Sequence, residues 1–212
     1  GAITQTTAVT VPGNTSLTAG SNPITLTLTN DFGGPVTVPS ASDVSLNDSN
    51  ALDLAAITAS GNLTVTAGGD LTINGTQAIT GEADYTAANL AVDAAIGAAN
   101  VALNATAGDI TGTGLITTAG VTANATGSIA LNLSAASLSA AAGTGITATD
   151  TDALVLETVS STTGLASISS GGTLTVNGSV TSQDVSLTGT TLVLDGTVSA
   201  ARDLALNATA QG

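Results

Sequence analysis

Cysteine, methionine, tryptophan, histidine and lysine are absent from this chain of 212 residues, and its aromatic rings are Phe32 and Tyr85 alone. Each absence excludes something. A thick globular core normally fills its centre with several large rings, so an interior built from Val, Leu, Ile and Ala suits a narrow solenoid better. Without His, a nucleophilic triad has no imidazole base. Without Lys, internal isopeptide cross-links are excluded. The lack of Cys carries two readings: a fold that needs no disulfides, or export through a pore that tolerates none. It fixes no compartment.

Positive charge is almost missing. One Arg (Arg202) faces fifteen acidic groups, and the formal net charge is -14. Phosphate neutralisation relies on Lys and Arg, so nucleic acid is excluded as a partner, and so is docking to an anionic membrane surface. No stretch is apolar and long enough for insertion across a bilayer. No basic segment precedes an apolar run as in a signal peptide. The opening Gly1 points to an excerpt or a processed form.

What is abundant is alternation. PITLTLT (23–29), DVSLND (43–48), NLTVTA (62–67), TLTVNG (173–178), DVSLTG (184–189) and DLALNA (203–208) place aliphatic residues at every second position. That is the period of a half-buried strand. Between them lie turn residues, as in AGGD (67–70), NGT (74–76), SSGG (169–172) and LDGT (194–197). Repeats are also present. Thr66, Thr86, Thr106 and Thr126 recur every 20 positions, and NATAGD (104–109), NATGSI (124–129) and NATAQG (207–212) are variants of one unit. Three further series run in parallel: Leu154, Leu174 and Leu192; Leu165, Val185 and Leu204; Val159, Val180 and Val198. Fixed periods of this length signal a stacked-repeat architecture.

The expected fold is an all-β, right-handed parallel β-helix, a single array over residues 1–212. It has three short strands per coil of about 20 residues and about ten coils, rising roughly 4.8 Å per coil. Asn104 is expected over Asn124 at a corner, in a column with Thr64 and Asp84. Tyr85 falls in a column with Val65, Ala105 and Ala125, facing inward between small neighbours or outward at a corner. Pro35 and Pro39 predict an irregular loop or corner near 30–42, because proline cannot donate to a ladder. The Ala-rich segment 81–99 has helix propensity, but Thr86 and Leu90 keep it in the repeat as a coil.

The strings SGNLTVTAGGDLTINGTQAITG (60–81), GAITQ (1–5), NDFGGPVTV (30–38) and NALDLAAITASGNLTVTAGG (50–69) together resemble the repeat regions of filamentous-haemagglutinin-like proteins. These are large exoproteins of Gram-negative bacteria, exported by two-partner secretion. The resemblance implies a β-helix shaft that is extracellular or on the bacterial cell surface, with adhesion or biofilm work. It transfers no catalytic motif.

Candidate sites are few, and no residue is assigned a catalytic, cofactor-binding or metal role. Asp150 and Asp152, in TDTDA (149–153), share a face of an extended segment, as do Glu82 and Asp84. Paired carboxylates serve glycosidases, but solvated corner acids that keep a rod soluble explain both pairs. No enzyme is expected. Calcium is the one cofactor considered, since oxygen ligands are plentiful, yet AGGD occurs once and the spacing of Asp43, Asp48 and Asp53 matches no loop signature. The Thr-x-Thr rows Thr25, Thr27, Thr29 and Thr64, Thr66 raise an alternative, a binding face for glycan or ice. The main expectation is a passive shaft or fibre-forming segment. It continues into a longer parent chain or stacks end to end with copies of itself, and its distal partners are host or cell-surface glycans or proteins.

Overall fold

The computed structural model describes residues 1–209; the last three residues of the 207–212 repeat string lie outside it. The described residues form an all-β parallel β-solenoid without a helix, in about 11 turns of about 19 residues. The turns are thus slightly more numerous and shorter than the sequence period suggests. Between the first and last turns, strands bond in parallel to their equivalents one turn before and after, as Leu63 does to Val44 and Ala83. No helix among these residues is long and apolar enough to cross a membrane.

Three faces recur. The first carries the inward column Ile24, Val44, Leu63, Ala83, Val101, Val121, Leu138, Leu156. The second carries Leu52, Leu71, Leu90, Ile110, Ile129, Ile146, Ala166, Val185, Leu204. The third carries Val38, Ile57, Gln77, Ile96, Ile116, Leu133, Asp150, Ser170. The buried members merge into one apolar core. Strands form here because β-branched and aliphatic residues at alternate positions fit a pleated surface buried on one side. Parallel neighbours one turn apart then pair the backbone without a hairpin.

Two expected columns are exact matches: Leu154, Leu174 and Leu192 are vertically paired, and so are Val159, Val180 and Val198. The third series is corrected at one member. Leu165 pairs with Asp184, so it points outward and is 44% exposed, while Ala166 takes the inward place beneath Val185 and Leu204. A slip of one residue turns a side chain to the other face.

The Thr66 series is also corrected. Thr66 stacks on Thr86, but Thr86 stacks on Asn104 rather than Thr106. Turn length is the cause: Val65 to Tyr85 is a step of twenty positions, Tyr85 to Leu103 only eighteen, and Ala123 to Ala140 seventeen. Asn104 lies over Asn124 and Asp84 over Thr64 as expected, but the two pairs belong to different columns, because Asp84 stacks on Ala102 and Asn104 on Thr86.

Tyr85 faces inward and is buried, between Val65 and Leu103 rather than Val65 and Ala105. The small residues that make room for its ring are Ala83 and Ala87, the inward neighbours along its own strand.

Residues 30–42 are mostly strand, the end of Ile24–Phe32 and all of Val36–Ala41, with a break at 33–35 and a bulged ladder. Register shifts fall between Leu26 and Asn30, between Val36 and Val38, and between Val38 and Ala41. Pro39 lies inside the last of these, where a missing donor breaks no bond. The Ala-rich 81–99 segment forms the strands Glu82–Ala87, Leu90–Val92 and Ile96–Gly97. The ladders above and below override its helix propensity.

Candidate functional site

The acidic side chains lie mainly at the corners, and many are bonded to the next turn. Asn62 N–H donates to Asp43 Oδ1 at 2.8 Å, and Glu82 N–H donates to Asn62 Oδ1 at 2.9 Å. At another corner Asn89 Nδ2 donates to Asp70 Oδ1 at 2.7 Å, Asp109 N–H donates to Asn89 Oδ1 at 3.0 Å, and Ser128 N–H donates to Asp109 Oδ1 at 2.6 Å. At other turns Asn50 donates to Asp31, Asn74 to Asp53 and Asn177 to Glu157. Acid and neutral amide thus alternate one turn apart. Like charges stacked about 4.8 Å apart would repel; an Asn between them removes the repulsion and supplies a donor. The bonds from Ser128 hold the Asp109 carboxyl below its ordinary range.

The lone cation joins this scheme. Arg202 Nε donates to Asp184 Oδ1 at 3.2 Å and its Nη2 pairs with Asp184 Oδ2, which lowers the Asp184 pKa.

The two carboxylate pairs fare differently. Glu82 and Asp84 both point outward on one strand, bordering a shallow groove with Asn100, Thr122 and Ser137. Burial, then the neighbouring Glu82, raises the Asp84 pKa. Asp150 and Asp152 do not share a face. Asp150 is buried in the third-face column, and only Asp152 is exposed. Asp150 Oδ2 accepts from Ala135 N–H at 2.9 Å and its Oδ1 from Asp152 N–H at 2.8 Å. It is therefore not a solvated corner residue. Its carboxylate closes the backbone where the chain leaves the ladder, and burial pushes its pKa up.

The five-residue spacing of Asp43, Asp48 and Asp53 gathers nothing. Asp43 is exposed at a corner, Asp48 is buried inside, and Asp53 is half-buried on the second face. Among the described residues no group of three or more His, Cys, Asp or Glu side chains is placed to hold a metal ion. The Thr rows do not extend into a lattice either. The Thr64 column continues as Asp84, Ala102 and Thr122, and the Thr66 column as Thr86, Asn104, Asn124 and Ala141.

Sequence reasoning missed the polar groups inside the stack. Asn30 is fully buried. Its Nδ2 donates to Leu26 O and Asn47 O at 3.0 Å each, and its Oδ1 accepts from Val9 N–H at 2.9 Å and Gln5 Nε2 at 2.7 Å. This network holds the bulge in strand Ile24–Phe32. Asp48 lies one turn on, with Oδ1 accepting from Phe32 N–H at 3.2 Å and Oδ2 unpartnered. Gln77 donates to Ala55 O and Gly75 O from within the third-face column. For Asp48 and Gln77 the sequence signal is a polar residue at an inward position of the alternation.

The ends complete the picture. Strands Thr191–Leu194, Thr197–Ala200 and Leu204–Ala208 pair on one side, to the preceding turn. Their inward columns surface there: Leu194, Leu204 and Leu206 are 45%, 49% and 44% exposed. At the other end, strands Ile3–Thr4, Thr10–Val11 and Thr15–Thr18 likewise pair on one side, with Ile3, Val11 and Leu17 half-buried against the core.

No curated protein and no solved structure matches the chain. A family model described as repeats of unknown function (DUF5649) matches residues 1–39 and 41–95, from the first turn through the strand Leu90–Val92.

Proposed function

We propose that this chain is a rigid structural segment of a secreted or cell-surface bacterial exoprotein of the filamentous-haemagglutinin-like kind, a shaft that projects or carries adhesive regions without catalysing a reaction. The observation that carries the reading is the parallel ladder from turn to turn, interrupted by bulges alone, in which mostly aliphatic columns are enclosed while the corner acids bond between turns. Such a rod resists bending and extension because each ladder hydrogen bond lies along its axis. Its outer columns carry small polar or Ala side chains, as in Thr64, Asp84, Ala102, Thr122 and Ser139. The repeat strings that resemble the haemagglutinin shafts support the surface location.

The test is location and shape together. Antibodies raised against the 212-residue chain should label intact cells of the source bacterium, and external protease should remove the label. Small-angle scattering of the purified chain should give a rod about 50 Å long, from about 4.8 Å per turn. Labelling that requires permeabilised cells would defeat the surface reading.

A further inference from the structure

We infer that the second face, over residues 128–189, is an ice-binding surface, a lattice of free hydroxyls that holds the oxygen array of crystalline water. This goes beyond the shaft reading and does not rest on it, since a rod that binds no ice is still a shaft. The strands Ser128–Ala142, Gly145–Asp150, Leu165–Ser170 and Asp184–Gly189 stack on this face without a register shift. Two outward columns result: Ala130, Thr147, Ser167 and Ser186, and beside them Asn132, Thr149, Ser169 and Thr188. The last three members of each make successive rows of paired hydroxyls. The rows lie about 4.8 Å apart, and the two hydroxyl positions of a row are separated by two residues of strand rise, roughly 6.6 Å. Both spacings lie near repeats of the oxygen lattice of hexagonal ice. The Thr rows of the first face are different, because they give way to Asp84, Ala102 and Asn104.

Two further observations point to the same ligand. Among the described residues, none of the six lattice hydroxyls is hydrogen-bonded to the protein, whereas Ser161, Ser170 and Ser182, in the same turns, donate to Thr163 O, Asp152 O and Gly164 O. The lattice hydroxyls are therefore free for water. The backbone ladders fix their positions in advance, and Thr is stiff at χ1, so little ordering remains to be done on contact. Charge is the second observation. The eight column positions carry no charged side chain, in a chain with fifteen acids. Ice admits no ions into its lattice, so a carboxylate here would keep its liquid hydration shell and hold the crystal off. Of the acids on these strands, Asp150 points into the core and Asp184 is paired with Arg202 at the corner. No aromatic ring or carboxylate stands in the columns to stack on or grip a sugar chain.

The experiment uses the full chain, with each variant checked for the wild-type far-UV circular dichroism spectrum. Ice is grown slowly from dilute solution, and protein is measured in the crystal and in the remaining liquid. Wild type should be enriched in the ice and should slow recrystallisation of a frozen film. Thr149→Lys with Ser169→Lys places two charges in the lattice, and the enrichment should fall about tenfold or more. Thr64→Lys with Thr122→Lys, at outward positions of the first face, should partition like wild type. Ser167→Lys alone, at the centre of the lattice, replaces the double variant if that one misfolds and is judged by the same loss. Wild type left in the liquid overturns the inference and leaves the shaft reading standing. Undiminished enrichment of the lattice variants, or an equal loss in the first-face variant, overturns it as well.

Discussion

Asn89 sits between two acids of neighbouring turns, donating to Asp70 Oδ1 at 2.7 Å and accepting from Asp109 N–H at 3.0 Å. This position needs a donor on one side and an acceptor on the other, which a neutral amide provides and a carboxylate does not. Asn89→Asp should therefore stack three acids along one corner and lose the bond to Asp70. The expected cost is roughly 1–2 kcal/mol, read as a lower urea midpoint that recovers in part at high salt, where exposed charges are screened. A salt-independent loss would argue against repulsion as the cause.

Asp150 tests whether a carboxylate in an aliphatic column is a site or a structural clamp. Both of its oxygens accept backbone N–H groups, from Ala135 and Asp152. Asp150→Asn keeps the shape but turns an amide NH2 toward one of those donors. The predicted destabilisation is about 1–3 kcal/mol, measured by chemical denaturation. Wild-type stability in this variant would show that the clamp is dispensable.

Tyr85 separates volume from polarity. The ring fills space beside Ala83 and Ala87, but its hydroxyl is buried without a hydrogen-bond partner, and burial raises its pKa far above the ordinary value. Tyr85→Phe should leave stability unchanged or raise it by about 1 kcal/mol. Tyr85→Ala should cost about 3–5 kcal/mol through the cavity it leaves. The comparison is made by thermal melts of the two variants.

Stability should respond to pH with a definite sign. Burial raises the carboxyl pKa values of Asp48, Asp84 and Asp150, and Asp84 is raised further by Glu82. The folded state then binds these protons more tightly than the unfolded chain, so their contribution is full below the ordinary value of 3.8 and is lost as pH rises through the raised values. Asp109 and Asp184 are lowered, by Ser128 and Arg202 respectively, and their contribution is lost as pH falls below 3.8. The melting temperature should climb from pH 7 to roughly pH 4–5 and drop in stronger acid. Asp48→Asn should flatten the climb, and a melting temperature that falls steadily from pH 7 downward would contradict the assignment.

Gly112 shows how tightly one turn lies on the last. Its φ is 123°, a region closed to most L residues, and a Cβ there would stand 2.1 Å from Val92 O. That contact could not be read from the sequence, where the glycine is one of 25. The same holds for Asn30. Its inward place depends on the bulge between Leu26 and Asn30, which no periodicity announces.

The sequence by itself determined that this chain is a stack of parallel strands. Period-two alternation in segments such as NLTVTA and DVSLTG leaves one apolar side to bury, and the recurrence of turn residues sets a coil of nearly constant length. It also determined columns within regions of steady turn length, such as Val159, Val180 and Val198. Only the tertiary structure decided the register elsewhere. Turns of seventeen to twenty-two residues absorb their differences in loops and bulges, and each slip of one position exchanges core for solvent, as between Leu165 and Ala166. It alone decided which acids are solvated and which, like Asp150, are held inside by backbone donors. That outcome depends on which N–H groups a bulge leaves free, a property of neighbouring turns together and not of either segment alone.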